Sequence, residues 1–339
     1  MPKVELHRHL DGSIRQQTII ELSKLHNLDI DVANPNSLKK RSTVTEPMQD
    51  VAAVLEAFDT IQKVTCSYEA IKRIAFENVE DAFYDGIKLI ELRFSPVFVA
   101  LNKDLAYDEI IEGVVDGIAE GMDRYGIEVG IIQIVSRTLD YEASKEGTKD
   151  VIRYAQAGKH RMADRLVGFD LADRENTTDP SDFKELVEMS REAGMGITVH
   201  SGEDTEASGV QKTLEILAPD RIGHGISAWQ DRNVVEIIKD RDVLLEICPT
   251  SNWLTQCVKE LSAHPLPEFY KAGVKVSINS DDPQLMDIDL THEYEIAEKL
   301  YGFKNEDFLK MNLYALEKSF LHKELTDRVK NKYFSEVRQ

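Results

Sequence analysis

Eight short runs rich in apolar and β-branched residues, near 3–9, 87–95, 127–136, 165–171, 195–200, 219–224, 243–248 and 274–279, alternate with longer stretches of helical periodicity. Segments such as Ser67 to Asp85 and Pro180 to Ala193 carry apolar residues at helical spacing and charges elsewhere. Parallel strands need long crossovers, usually helical, so this rhythm implies a parallel sheet covered by helices. Eight such units predict an α/β fold, a (β/α)8 TIM barrel. A doubly wound sheet is the rival arrangement, but only barrel closure makes the first and last strands neighbours.

The interval 13–85 is too long for one crossover helix and predicts extra helices over the barrel mouth, while 291–339 reads as C-terminal helices. No Pro/Gly/Ser linker, low-complexity stretch or internal repeat divides the chain, so 1–339 is read as one domain. With 42% hydrophobic residues, a chain of this length buries a sizeable core.

A parallel barrel puts its chemistry at the carboxyl ends of its strands. His7 and His9 lie two apart in the first run, and side chains at i and i+2 leave a strand on the same side, within reach of one metal ion. Paired histidines on a strand also occur as purely structural polar residues. Three further apolar runs, however, end in ionisable clusters: ITVHSGE (197–203), RIGHG (221–225) and VSINSDDP (276–283). They contribute His200 after the fifth run, His224 after the sixth, and Asp281 and Asp282 after the eighth. Three imidazoles and a carboxylate suit one zinc ion and argue against calcium or magnesium, though iron or nickel fit the same ligands. Bound zinc lowers the pKa of water from about 15.7 to about 7. The 165–172 segment holds no lysine to bridge a second metal, which favours a mononuclear centre. Glu203, three residues past His200, is placed beside such a metal without necessarily binding it, where a carboxylic acid can protonate a heteroaromatic nitrogen. Its plainer reading is a helix N-terminal acid after the Ser201-Gly202 turn. His224 sits between Gly223 and Gly225, which permit close approach or simply make a turn.

A formal charge of −20, from 41 basic and 61 acidic residues, argues against a nucleic-acid partner. No apolar stretch reaches the 18 residues of a membrane span, and the first residues lead into a strand rather than a signal peptide, so a soluble cytoplasmic protein is expected. Cys66, Cys248 and Cys257 form no C-x-x-C pair and are read as ordinary thiols of a reducing compartment. The expected partner is a small molecule, and the expected state a monomer or weak homo-oligomer. His26, His160, His264, His292 and His322 are read as structural or surface residues, and Trp229 and Trp253 as packing residues.

HRHLDGSI (7–14), ELRFSP (91–96), HSGE (200–203), RIGHG (221–225), TSN (250–252), AHPL (263–266) and SINSDDP (277–283) together resemble the adenosine deaminase family, in order and over nearly the whole chain. That resemblance implies a zinc barrel that hydrolytically deaminates adenosine and deoxyadenosine to inosine and deoxyinosine with release of ammonia, in purine salvage. By position, it makes His7, His9, His200 and Asp281 the zinc ligands, with His9 also beside the substrate. Glu203 becomes the proton donor at purine N1, and His224 the group that orients or deprotonates water. Asp282 becomes the contact to N7 and Asp11 the contact to the ribose 5′-hydroxyl, a position where related adenine deaminases usually carry Glu. Val51, Val54, Leu55 and Phe58, at i, i+3, i+4 and i+7, resemble a helix gating an apolar subsite, and equally read as helix core. DLADRE (170–175) departs from the family's D-L-A-G-D-E by placing Asp173 where a glycine amide approaches purine N3, and Ser201 replaces a usual alanine. Alternative substrates are a 5′-modified adenosine such as 6-aminodeoxyfutalosine, or adenine. Other classes are another mononuclear metal hydrolase of this barrel type or a barrel used only for binding.

Overall fold

Strands β1 (Lys3–His9), β2 (Ile87–Phe94), β3 (Glu128–Ser136), β4 (Leu166–Ala172), β5 (Gly196–Ser201), β6 (Arg221–His224), β7 (Leu244–Ile247) and β8 (Val276–Ile278) pair in parallel, in chain order. The computed structural model describes residues 1–55 and 57–335. Each predicted run coincides with a strand, and the barrel closes where Arg8 bridges Asp281: His9 N–H donates to Asp281 O (2.9 Å) and Asp281 N–H to His7 O (3.1 Å). Closure therefore joins the two ends of the chain's strand series at residues expected to ligate metal.

Between β1 and β2 the chain forms helices Gln16–His26, Pro35–Ser42, Val51–Leu55 and Phe58–Ile61 before helix Tyr68–Tyr84 returns it to the sheet. Val51, Val54, Leu55 and Phe58 thus sit on two short helices rather than one, and all four line the cleft at the barrel mouth. After β8, helices Leu290–Tyr301, Asn305–Lys318 and Lys323–Tyr333 answer to the expected C-terminal helices, whose last four positions, 336–339, lie outside the described residues. Among the described residues no helix is long and apolar enough to cross a membrane.

The barrel interior is charged where most barrels stack branched apolar residues. Arg93 of β2 pairs with Asp170 of β4 (2.7 Å) and Glu246 of β7 (2.9 Å), and Arg221 of β6 pairs with Glu246 and Glu91 (both 2.6 Å), all fully buried. Residues from opposite strands meet in this way only inside a closed barrel. Removing one member leaves an uncompensated buried charge, a loss of about 3–5 kcal/mol. Phe320 plugs the amino-terminal end below this network, its ring stacked 3.6 Å from the Arg221 guanidinium carbon. A Cβ on Gly196 would come within 2.1 Å of that ring, so the plug requires glycine there.

Glu293 of helix Leu290–Tyr301 is fully buried, with one oxygen accepting from Thr250 N–H (3.2 Å) and the other without a partner among the described residues. Burial pushes its carboxyl up to about 8, against the Thr250 hydrogen bond and with help from Asp281 and Glu5. The unfolded chain ionises this group near 4.5, so the stability it contributes is complete below that pH and is lost as pH rises toward 8. The urea midpoint is expected to fall from pH 5 to pH 8, and Glu293→Gln to flatten that slope. An identical slope in the variant would remove Glu293 as a source.

Candidate active site

His7, His9, His200 and Asp281 converge at the carboxyl ends of β1, β5 and β8, each offering one ligand atom within 4.8 Å of the others. The imidazole centroids of His7 lie 5.3 Å from His9 and 4.6 Å from His200. His7 Nδ1 meets Glu246 Oε2 at 2.8 Å and His200 Nδ1 meets Asp170 Oδ1 at 3.0 Å, so the interior carboxylates fix both tautomers and leave each Nε2 with its lone pair. Asp170 and Glu246 stay ionised although burial opposes it. The His200 imidazole and Arg93 hold Asp170 low, and Arg93, Arg221 and His7 hold Glu246 low.

This arrangement fits a cation. His7 Nε2 is buried without a hydrogen bond among the described residues, yet lies 3.0 Å from Asp281 Oδ1, which is itself 3.3 Å from His9 Nε2. A lone pair facing a carboxylate oxygen is repulsive unless positive charge stands between them. Burial would push Asp281 up, but His7, His9 and His224 outweigh it and hold the carboxyl well below its ordinary value. Cys248 is the other group near His224 and Asp281. Burial keeps its thiol pKa well above the ordinary range, which makes it a poor ligand.

His224 and Asp281 both adopt left-handed backbone, with φ of 63° and 64°. Such a backbone costs a non-glycine residue roughly 1–2 kcal/mol and turns the side chain out of the strand direction, across the mouth. His224 Nε2 thereby lies 3.5 Å from Glu203 Oε2 and 3.9 Å from Asp281 Oδ2. Gly223 supplies the room: a Cβ there would meet His7 Cε1 at 3.0 Å. Burial, reinforced by the neighbouring imidazoles, depresses His224 well below the ordinary histidine value against the pull of Asp281.

Glu203 is held by a device that the sequence reading did not single out. Glu175, buried after β4, accepts the N–H groups of Gly202 (2.7 Å), Glu203 (2.8 Å) and Asp204 (3.2 Å), and the Thr205 hydroxyl (2.7 Å). Burial, then Asp281 and Glu175, raise the Glu203 carboxyl well above its ordinary value. Asp282 is raised too, by burial and by Asp281 and Asp11, and Asp11 by burial. Asp11 Oδ1 and Asp282 Oδ1 are buried with no hydrogen-bond partner among the described residues, and both residues line the cleft.

The cleft encloses about 500 Å³ and is lined by His9, Glu203, Asp281 and Asp282 together with the apolar Val51, Val54, Leu55 and Phe58. Asp173, which also lines the cleft, has φ 78°, the left-handed conformation that suits glycine. Its carboxylate accepts from Ser136 Oγ (2.6 Å), Thr138 Oγ1 and Arg174 N–H (2.7 Å), and so folds onto the wall rather than standing free in the cavity. Ser201 Oγ bonds Thr213 Oγ1 (3.0 Å) behind the site. Of the remaining histidines, His264 is buried and bonded to Asn252 Oδ1 (3.2 Å), and Asn252 Nδ2 is 3.0 Å from His224 Nδ1.

Eight parallel strands in a barrel thus gather imidazoles and carboxylates at one mouth, as a group that could hold a metal ion. The adenosine deaminase family model matches residues 2–337. An adenosine deaminase of Escherichia coli O157:H7 (strain EC4115 / EHEC) is 35% identical over 324 residues, 96% of this chain and 95% of that protein. Among solved structures, an adenine deaminase from Arthrobacter aurescens superposes with a TM-score of 0.87 at 23% identity, covering 100% and 99% of the two chains. An amidohydrolase from Burkholderia ambifaria with bound Zn gives 0.83 at 21% identity, covering 99% and 90%. These two likenesses bear on the fold. The chain belongs to the adenosine deaminase family, and is a hydrolase of cyclic amidine C–N bonds.

Proposed function

We propose that this enzyme deaminates adenosine and deoxyadenosine, with one zinc ion held by His7, His9, His200 and Asp281 within the single domain formed by residues 1–339. The observation that carries the reading is the buried acid Glu203 set beside the four-residue ligand group, both opening on one nucleoside-sized cleft. Its carboxyl, held protonated to higher pH than an ordinary glutamate, gives its proton to purine N1, which draws electron density from C6 and opens that carbon to attack. When bound, zinc supplies a Lewis acid that makes water an effective nucleophile near neutral pH. His224 orients the attacking oxygen from its Nε2 atom. Asp282, raised and unpartnered, offers a proton to N7, and the free Asp11 oxygen accepts the ribose 5′-hydroxyl. The apolar side chains of Val51, Val54, Leu55 and Phe58 exclude water from the purine.

Zinc is favoured by three nitrogen donors and one oxygen, and the Burkholderia relative in fold carries it. Adenosine is favoured over adenine by Asp11, whose free oxygen a sugar hydroxyl would satisfy. Three cysteines without disulfides fit a cytoplasmic setting. The test is a rate series on adenosine, deoxyadenosine, adenine and 5′-substituted adenosines, followed by loss of the 6-amino chromophore. Adenosine and deoxyadenosine are expected to exceed adenine in kcat/KM by at least about a hundredfold, the worth of a hydrogen bond left unmade in a buried site. Faster turnover of adenine, or of a nucleoside lacking the 5′-hydroxyl, would overturn the nucleoside assignment.

A further inference from the structure

His224 can act on the attacking oxygen as a hydrogen-bond donor, through Nε2–H, or as a base, through an Nε2 lone pair. Which of the two it is depends on the proton at Nδ1, and the neighbours of that atom decide it. A chain of hydrogen bonds runs outward from Nδ1 and ends at a group whose polarity is beyond doubt. Leu266 N–H, a backbone donor, points at His264 Nδ1 (3.0 Å), so Nδ1 of His264 must accept. His264 is buried and its imidazole is pushed down to about 3 by that burial, so it is neutral and its one proton is on Nε2. That Nε2–H donates to Asn252 Oδ1 (3.2 Å), which orients the carboxamide with Nδ2 toward His224. Asn252 Nδ2–H then donates to His224 Nδ1 (3.0 Å). Nδ1 of His224 is an acceptor, and its proton lies on Nε2, 3.5 Å from Glu203 Oε2 and 3.9 Å from Asp281 Oδ2.

We propose that Asn252 and His264 are positioning residues that lock His224 in the neutral Nε2–H tautomer, so that it meets the attacking oxygen as a donor and does not remove its proton. Every member is nearly or wholly excluded from water: Asn252 is 0% exposed, and His224 and His264 are each 1% exposed. No solvent molecule competes for these bonds, and reversing any one of them would leave two donors or two acceptors face to face. The inference deepens the deaminase reading and rests on it for the identity of the oxygen, but the tautomer itself can be read without substrate.

The experiment uses the purified protein as isolated, labelled with 15N in its histidine rings, with His224→Gln to identify the His224 signals. The expected wild-type spectrum shows His224 protonated at Nε2. Asn252→Asp replaces the donating amide by a carboxylate oxygen, which can only accept a hydrogen bond and so favours the tautomer with the proton on Nδ1. The spectrum is expected to switch to Nδ1–H, with kcat falling about a hundredfold or more and KM moving less than about threefold, as for other misplaced imidazole protons. Because Asn252→Asp risks misfolding, His264 gives a second route. His264→Gln keeps a donor toward Asn252 Oδ1 and is expected to retain the Nε2–H tautomer and turnover within about fivefold, whereas His264→Leu frees the carboxamide to reverse and is expected to lower kcat about tenfold. A wild-type His224 protonated at Nδ1, or Asn252→Asp turnover lost with the tautomer unchanged, would overturn the proposal, as would equal kcat in the two His264 variants. Wild-type protein inactive on every aminopurine would instead sink the deaminase reading, with the tautomer still on record.

Discussion

Glu203→Gln is expected to lower kcat for adenosine about a thousandfold or more while metal content stays at the wild-type level. The amide keeps the size of the acid and can still hydrogen-bond purine N1, but it has no proton to transfer. The loop should not move, because Glu175 grips it through the N–H groups of residues 202–204 and not through the Glu203 side chain. The loss therefore reports proton transfer rather than collapse. A pH profile makes the same point from the other direction. Burial, with Asp281 and Glu175, raises the Glu203 carboxyl well above its ordinary value, so the acid stays loaded to higher pH than an ordinary carboxyl and wild-type turnover is expected to decline only as pH rises past that raised value. In Glu203→Gln the remaining rate should show no such decline. Steady-state rates with metal analysis of the same samples check both. Turnover within tenfold of wild type would take proton donation away from Glu203.

The barrel was legible because its repeat is long and regular: eight apolar runs at the right intervals leave few topologies, and closure then explains why His7 and Asp281, far apart in sequence, become neighbours. The short strands β6, β7 and β8 are each shorter than the apolar runs that contain them, because flanking apolar residues such as Val274 are buried in the core without being part of the strand. His7, His9, His200 and Asp281 were legible because each ends an apolar run. Their supports were not. Arg93, Asp170 and Glu246 stand inside such runs, where an apolar pattern registers only interruptions, and the partner of each comes from another strand. A charged residue in the middle of a run, in ELRF, GFDL or LLEI, is the available signal, for it must be paired if the run is buried. Glu175, Asn252 and His264 lay within or beside quoted motifs, yet their roles depend on loop geometry that no spacing rule conveys. Asp173 shows the reverse case. The departure from glycine was visible, but only the wall of Ser136 and Thr138 reveals that its carboxylate is taken up without filling the cleft.

Stripping the metal with a chelator is expected to abolish turnover, by a factor of at least about 10⁴, and zinc to restore it. The same treatment should lower the Tm by about 5–10 °C, because an ion bound only by the native state contributes about 4 kcal/mol when present at a thousand times its Kd. The ligand group explains why stability and activity fall together. His7 Nε2 and Asp281 Oδ1, 3.0 Å apart and buried, repel in the stripped protein unless a proton takes the ion's place, and neither can turn away. His7 is pinned through Nδ1 by Glu246, and Asp281 by its left-handed backbone and by the bonds that close β8 onto β1. The strain is therefore lodged at the seam of the barrel, and the stripped protein should open there first. Amide exchange should quicken at His9 and Asp281, whose N–H groups form the seam, before it quickens in β3 or β4. Asp281→Asn removes the repulsion along with a ligand charge, so this variant should lose turnover yet melt closer to the loaded enzyme than the stripped wild type does. Metal-stripped protein with unchanged Tm and unchanged seam exchange would show that the four residues do not share an ion.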